Sequence, residues 1–140
     1  AQSLGLSFNS VSASSAGELN GAVGAAAKGG AQALFILTDA LFNSYIPQLA
    51  QSSINNKLAA FYDRNDFVDA GGLISYGTSF PDVYRQVGVY TGRILKGEKP
   101  ADLPVTRPSR FELVINRKAA GTQGIELPKK LLPLADEVID

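Results

Sequence analysis

Ala33-Leu34-Phe35-Ile36-Leu37-Thr38-Asp39 is the strongest structural signal in the chain. Five apolar residues follow one another without alternation, and two polar residues then end the run. An unbroken apolar run of this kind predicts a strand covered on both faces, inside a parallel sheet. In open α/β sheets, ligands gather outside the carboxyl ends of the strands. Thr38 and Asp39 stand at that place. Asp39 has two readings: it caps the next helix, or it meets a ligand.

The pattern repeats downstream. Residues 58–62 form a second continuous apolar run whose tip is Tyr62, Asp63, Arg64 and Asn65. Between the two runs, residues 40–43 read as a linker centred on Phe42. Residues 45–53 then read as a helix, capped by Ser44 and with Pro47 in its first turn. Strand, polar tip, helix and strand in succession predict an α/β fold with a doubly wound parallel sheet, in which residues 33–37 and 58–62 are adjacent interior strands. Residues 67–70 read as a helical turn closed by Gly71 and Gly72, and residues 73–76 as a third strand with Gly77, Thr78 and Ser79 at its tip. Ser79 is placed to cap the clearest helix, residues 81–95, with Pro81 at its first position. Val83, Val87, Tyr90 and Ile94 give that helix an apolar stripe.

Upstream, Ser15 and Glu18 have the spacing of a capping box, ahead of a helix over residues 16–28. Residues 6–11 read as a short strand, and residues 1–4 as the last turn of a helix stopped by Gly5. With no initiator Met, Ala1 reads as a cut or processed start. Towards the other end, residues 98–110 hold three prolines and read as an extended crossing segment. Residues 111–116 follow as a strand and residues 118–122 as a short helix. Residues 127–134 read as a helix opening at Pro128, and residues 135–140 as a last short strand.

The 140 residues suit one domain, and 45% apolar against 19% charged residues is a globular balance. Thirteen basic and thirteen acidic residues cancel, which leaves no field to attract nucleic acid. With no His and no Cys, the commonest general base, thiol chemistry and the usual zinc sites are excluded. No nucleophile elbow or Walker loop is present, so no catalytic residue and no cofactor is expected. Asp63, Asp66 and Asp69 are spaced to form a wet helix edge, not a metal cage. What converges at the strand tips is polar and aromatic: Thr38, Asp39 and Phe42 after the first run, Tyr62 and Asp63 after the second, Tyr76 and Ser79 after the third. Convergent polar groups with aromatic walls describe a small-molecule cleft.

Several longer blocks carry a family resemblance. They are Gly71-Gly72-Leu73-Ile74-Ser75-Tyr76-Gly77 with Tyr84-Arg85, and Ile94-Leu95-Lys96-Gly97-Glu98-Lys99-Pro100-Ala101-Asp102-Leu103-Pro104-Val105. Phe111-Glu112-Leu113-Val114-Ile115-Asn116 and the terminal Ala135-Asp136-Glu137-Val138-Ile139 complete the set. Together they resemble the substrate-binding proteins of bacterial ABC transporters, over essentially the whole chain. Ala40 departs from the pattern, since relatives often carry proline there, and residues 106–110 differ as well.

The resemblance implies a type I periplasmic binding protein: two Rossmann-like lobes hinged by crossing strands, in chains about twice this length. It implies that this sequence is an incomplete C-terminal portion. Residues 1–76 would belong to the C-terminal ligand-binding lobe without its first strand. Residues 77–110 would be a hinge crossing and a helix packed on the other lobe, and residues 111–140 the return. The alternative for the helix is that it folds back on its own sheet. Function would be transport: binding of a small solute, amino acids among the candidates, for delivery to an ABC permease. The site would be periplasmic or membrane-anchored outside the cytoplasm, and the portion alone would self-associate through its uncovered stripe. An effector-binding domain of a transcriptional regulator or sensor, which has the same fold, is the alternative.

Overall fold

A computed structural model describes residues 2–140, with the side chains described from residue 3 onward. Its strands are β1 (Ala33–Phe35), β2 (Ala59–Tyr62), β3 (Ile74–Thr78), β4 (Phe111–Asn116) and β5 (Glu137–Ile139). They form one sheet in sequential order. β1, β2 and β3 run parallel, β4 is antiparallel to β3, and β5 is parallel to β4. The expected adjacency of the two apolar runs holds, with Ala33, Leu34 and Phe35 opposite Ala59, Ala60 and Phe61. β4 reverses because the chain leaves the sheet after Thr78 and re-enters beside the same residue, which pairs with Phe111.

The helices are α1 (Ala16–Lys28), α2 (Ala40–Ser44), α3 (Ile46–Asn55), α4 (Asn65–Asp69), α5 (Phe80–Leu95) and α6 (Arg117–Gln123). Leu19 and Val23 of α1, Leu49 of α3 and Phe67 of α4 join Ile36, Ala60 and Tyr62 in the main core. Each such side chain contributes roughly 1.5–3 kcal/mol when taken fully out of water. A smaller cluster gathers Leu73, Ala119 and Ala120 with Ala59 and Ile74. Ala59 and Ala60 are neighbours in β2 yet belong to different clusters, as the alternation of strand side chains requires. α6 is capped at one end by the Asn116 side chain, which accepts from Ala119 N–H, and stopped at the other by left-handed Gly124.

Several local expectations are corrected. β1 is an edge strand, not an interior one: Leu34 and Ile36 turn into the helix layer, but Phe35 and Leu37 are 61% and 65% exposed. Continuous apolarity reports what both faces can bury, and here only one is covered. Residues 6–11 form no strand, because no neighbouring strand pairs with them, and Phe8 stays 74% exposed. The linker at 40–43 is helical, since Asp39 caps it through Leu41 N–H at 2.8 Å. The Ser15–Glu18 capping box is not made: Glu18 accepts from Ser14 N–H, one residue before the cap, and the Ser15 side chain makes no cap bond. Residues 127–134 contain only a 3-10 turn, Leu132–Leu134. The helical turn expected at residues 1–4 is a 3-10 turn over Gln2–Leu4, and Ala1 lies outside the described residues.

Two glycines provide a matched test. A Cβ on Gly77 would stand 1.8 Å from the Asp63 carbonyl oxygen, which is backbone and cannot swing away. A Cβ on Gly88, inside α5, would meet nothing within 4 Å. Gly77→Ala is therefore expected to destabilise by about 1–3 kcal/mol or more. Gly88→Ala should stabilise by about 0.4–1 kcal/mol. Urea unfolding midpoints that move in the same direction for both variants would contradict this packing.

Candidate functional site

Because β1, β2 and β3 are parallel, their carboxyl ends share one rim of the sheet. Thr38 and Asp39 follow β1, Asp63 follows β2, and Ser79 follows β3. The rim is held together by side chains. Thr38 Oγ1 donates to Asp63 Oδ2 at 2.5 Å, tying the tips of β1 and β2. The other carboxylate oxygen, Asp63 Oδ1, is buried and has no hydrogen-bond partner among the described residues. Such a group is expensive unless a donor reaches it.

Asp39 is exposed and serves as the cap of α2 through Oδ1. Its carboxylate makes no other hydrogen bond or ion pair among the described residues. Phe42 is half-buried and packs against the core. Tyr62 lies inside, at 0% exposure, edge-on to the Phe67 ring, and donates its hydroxyl to Asn43 Oδ1 at 2.5 Å. It thus holds α2 against β2 and presents no wall to solvent. Burial, and next the nearby Asp63 charge, push its phenol up to about 12.

β3 runs on to Thr78, so Tyr76 stands mid-strand and not at the expected tip; it is 50% exposed and stacks on Phe111 of β4, with ring centroids 5.8 Å apart. Ser79 is buried, and its N–H donates to the Arg110 carbonyl at 3.0 Å, closing the β3–β4 end. The structure therefore joins Thr38 to Asp63, leaves Asp39 and Tyr76 facing solvent, and puts Phe42, Tyr62 and Ser79 behind them.

Sequence reasoning missed the supports. Ser75 donates to Asn65, and Asn65 donates to Glu112, which also meets Arg110 at 3.4 Å. Arg64 pairs with Asp66 and lies 4.9 Å above the Phe80 ring, joining the tip of β2 to the start of α5. Asn43 and Glu112 lie 19 and 47 residues from their partners, separations with no local pattern to betray them. Among the described residues no group of acidic side chains is arranged to hold a metal ion, and no helix is long and apolar enough to cross a membrane.

The model of a protein family described as ABC transporter substrate binding protein matches residues 1–139. No curated protein matches. A conserved domain protein from Vibrio cholerae superposes with a TM-score of 0.88 at 25% identity, covering 98% of this chain and 46% of its own. The ABC domain from Streptococcus pneumonia, solved in complex with L-Trp, gives a TM-score of 0.87 at 29% identity, covering 99% of this chain and 46% of its own. A ligand-free, open substrate binding protein with adhesive properties from Clostridium difficile shares the fold, at 22% identity and a TM-score of 0.62, over 89% of this chain and 41% of its own. The chain thus spans less than half the length of these proteins.

The Tyr62 phenol supplies a test of the rim's support. Its folded value of about 12 lies above the ordinary 10.0, so the folded chain keeps the proton while the unfolded chain releases it. The stability it contributes is complete below pH 10 and is lost as pH rises towards 12. Tyr62→Phe should cost about 0.5–1.5 kcal/mol at neutral pH through the lost bond to Asn43. Its alkaline loss should then be shallower than that of the unchanged chain. Urea titrations with identical slopes above pH 10 would refute this.

Proposed function

The chain belongs to the ABC transporter substrate-binding protein family, and on that premise we propose that it forms most of one lobe of a two-lobed solute receptor. Its role is binding, not catalysis: the lobe takes up a small molecule outside the cytoplasm for hand-over to an ABC permease. The solute class we assign is an amino acid with an aromatic side chain. The observation that carries this is the rim itself, where an oriented carboxylate and a hydroxyl follow β1 and the exposed ring of Tyr76 stands two residues inside the end of β3. The L-Trp complex of the Streptococcus neighbour supports the same class.

In this reading the cap bond to Leu41 N–H holds the Asp39 carboxylate in place and leaves its second oxygen for a ligand ammonium. Tyr76, backed by Phe111, offers a face on which an aromatic ring stacks. Thr38 and Asp63 form the polar floor. Phe42, Tyr62 and Ser79 act behind the surface, fixing α2 and the start of α5.

α5 is assigned to the surface that meets the other lobe. None of its residues is buried, and Tyr84, Val87 and Leu95 lie exposed along it. That supports a division into a ligand-binding lobe at residues 1–76, a crossing with its helix at 77–110, and a return at 111–140. It also favours self-association of the isolated chain through the same stripe. Sedimentation of the 140-residue chain should show dimers or larger species that Val87→Glu disperses. A monomer at high concentration would overturn the assignment.

The ligand reading is tested by calorimetry on the two-lobed protein with L-tryptophan and L-phenylalanine. Asp39→Asn keeps the shape of the side chain but loses the charge, and should weaken binding by about 1.5–3 kcal/mol, roughly ten- to a hundredfold. Unchanged affinity would return Asp39 to its cap role alone.

A further inference from the structure

α5 begins at the rim, two residues past the end of β3, and the donors of its first turn are unspent. We infer that this turn binds the carboxylate of the solute, with the Ser79 hydroxyl and the N–H groups of Phe80 and Asp82 as donors. The inference rests on the amino-acid reading of the rim and supplies its missing half: Asp39 takes the ammonium end, and the start of α5 takes the carboxylate end.

Ser79 is the first ground for it. It stands at the N-cap of α5 in extended backbone and is 3% exposed. A serine at that place ordinarily accepts a hydrogen bond from an N–H two or three residues on. Here the side chain makes no cap bond, and its hydroxyl has no other hydrogen bond among the described residues. Its backbone N–H fixes the start of α5 on the Arg110 carbonyl, so the side chain is left over. A buried hydroxyl without a partner is a cost until something meets it.

The backbone is the second ground. Val83 N–H donates to the Ser79 carbonyl at 3.1 Å and closes the turn. Ahead of it, the N–H groups of Phe80 and Asp82 have no partner among the described residues, and Pro81 has none to offer. α1 and α4 differ at the same position: Glu18 N–H donates to the Ser15 carbonyl, and Phe67 N–H to that of Arg64. Free N–H groups at the positive end of a sixteen-residue helix favour an anion.

Spacing and charge choose the anion. Asp39 follows β1 and Ser79 follows β3, with β2 between them. Two strand spacings put these tips about 10 Å apart. An amino-acid head group with a hydrogen bond of about 2.9 Å at either end bridges such a gap, over the Thr38–Asp63 floor. The Arg64 guanidinium, 4.9 Å above the ring of Phe80, adds positive charge beside the turn, while its partner Asp66 and Asp82 of the first turn add negative charge. That balance repels a multiply charged phosphate more than a carboxylate that carries its own ammonium.

The test uses the two-lobed protein, titrated calorimetrically with L-tryptophan and with tryptamine, which keeps the ring and the ammonium but lacks the carboxylate. Ser79→Ala removes one hydroxyl and should weaken L-tryptophan roughly tenfold, since a hydrogen bond to a charged group is lost. Tryptamine should bind the unchanged protein more weakly than L-tryptophan does, and should give the same result with both proteins. In nitrogen-15 spectra the amide signals of Phe80 and Asp82 should move with L-tryptophan and hold still with tryptamine.

Equal L-tryptophan affinity of the two proteins, or amides that do not move, would overturn the inference and leave the solute class standing. A matching loss for tryptamine would make Ser79 a structural residue only and overturn it as well. Failure of the unchanged protein to bind L-tryptophan would instead sink the solute reading on which the inference rests.

Discussion

The bare Cα of Gly77, pressed against the carbonyl of Asp63, is the contact on which the rim depends. A Cβ would stand 1.8 Å from that oxygen, so β3 passes the tip of β2 at a separation open only to glycine. The sheet ladder alone joins these strands through just two residue pairs, Phe61 with Ile74 and Tyr62 with Ser75. The close approach adds a steric constraint at the place where the ladder ends. It fixes the Asp63 backbone, and the Asp63 carboxylate then takes the Thr38 hydroxyl and anchors the tip of β1. A chain of short-range constraints thus runs across three strand ends. A polar rim built on backbone contact needs little reorganisation to receive a ligand, which is what limits the cost of binding.

Elsewhere the molecule is uneven. One side of the sheet carries a dense layer in which Leu19, Leu49, Tyr62 and Phe67 are all but fully buried. Phe35, Leu37 and the stripe of α5 remain open to water. Apolar area is left open at the flanks while the rim is polar and braced, which suits the proposed two-lobed receptor. The Arg64 guanidinium over Phe80 links the two regions, since it ties the tip of β2 to the first residue of α5.

The layout of the sheet was legible because periodicity is local. The unbroken runs at 33–37 and 58–62 declared two parallel strands, and Pro81 with its downstream stripe declared α5. The family blocks agreed with both. Coverage was not legible, because it depends on what lies opposite a strand. Phe35 looks like a core residue in sequence, yet it is 61% exposed, with its ring stacked on Phe61. Residues 6–11 have strand chemistry but no strand partner among the described residues. Among the rim residues, position along the chain identified Thr38, Asp39 and Asp63. It gave no hint that Tyr62 points inward to Asn43, or that Asn65 and Glu112 brace Ser75 from behind. Those bonds join residues brought together only by the fold.

The central claim is that this rim, and not a flank of the lobe, receives the solute. A crystal structure of the two-lobed protein grown with L-tryptophan addresses it without intermediaries. The ligand ammonium is expected within hydrogen-bond distance of Asp39, with the indole stacked on Tyr76. Ligand density seated elsewhere, with Thr38, Asp39 and Tyr76 facing only solvent in the closed protein, would contradict it.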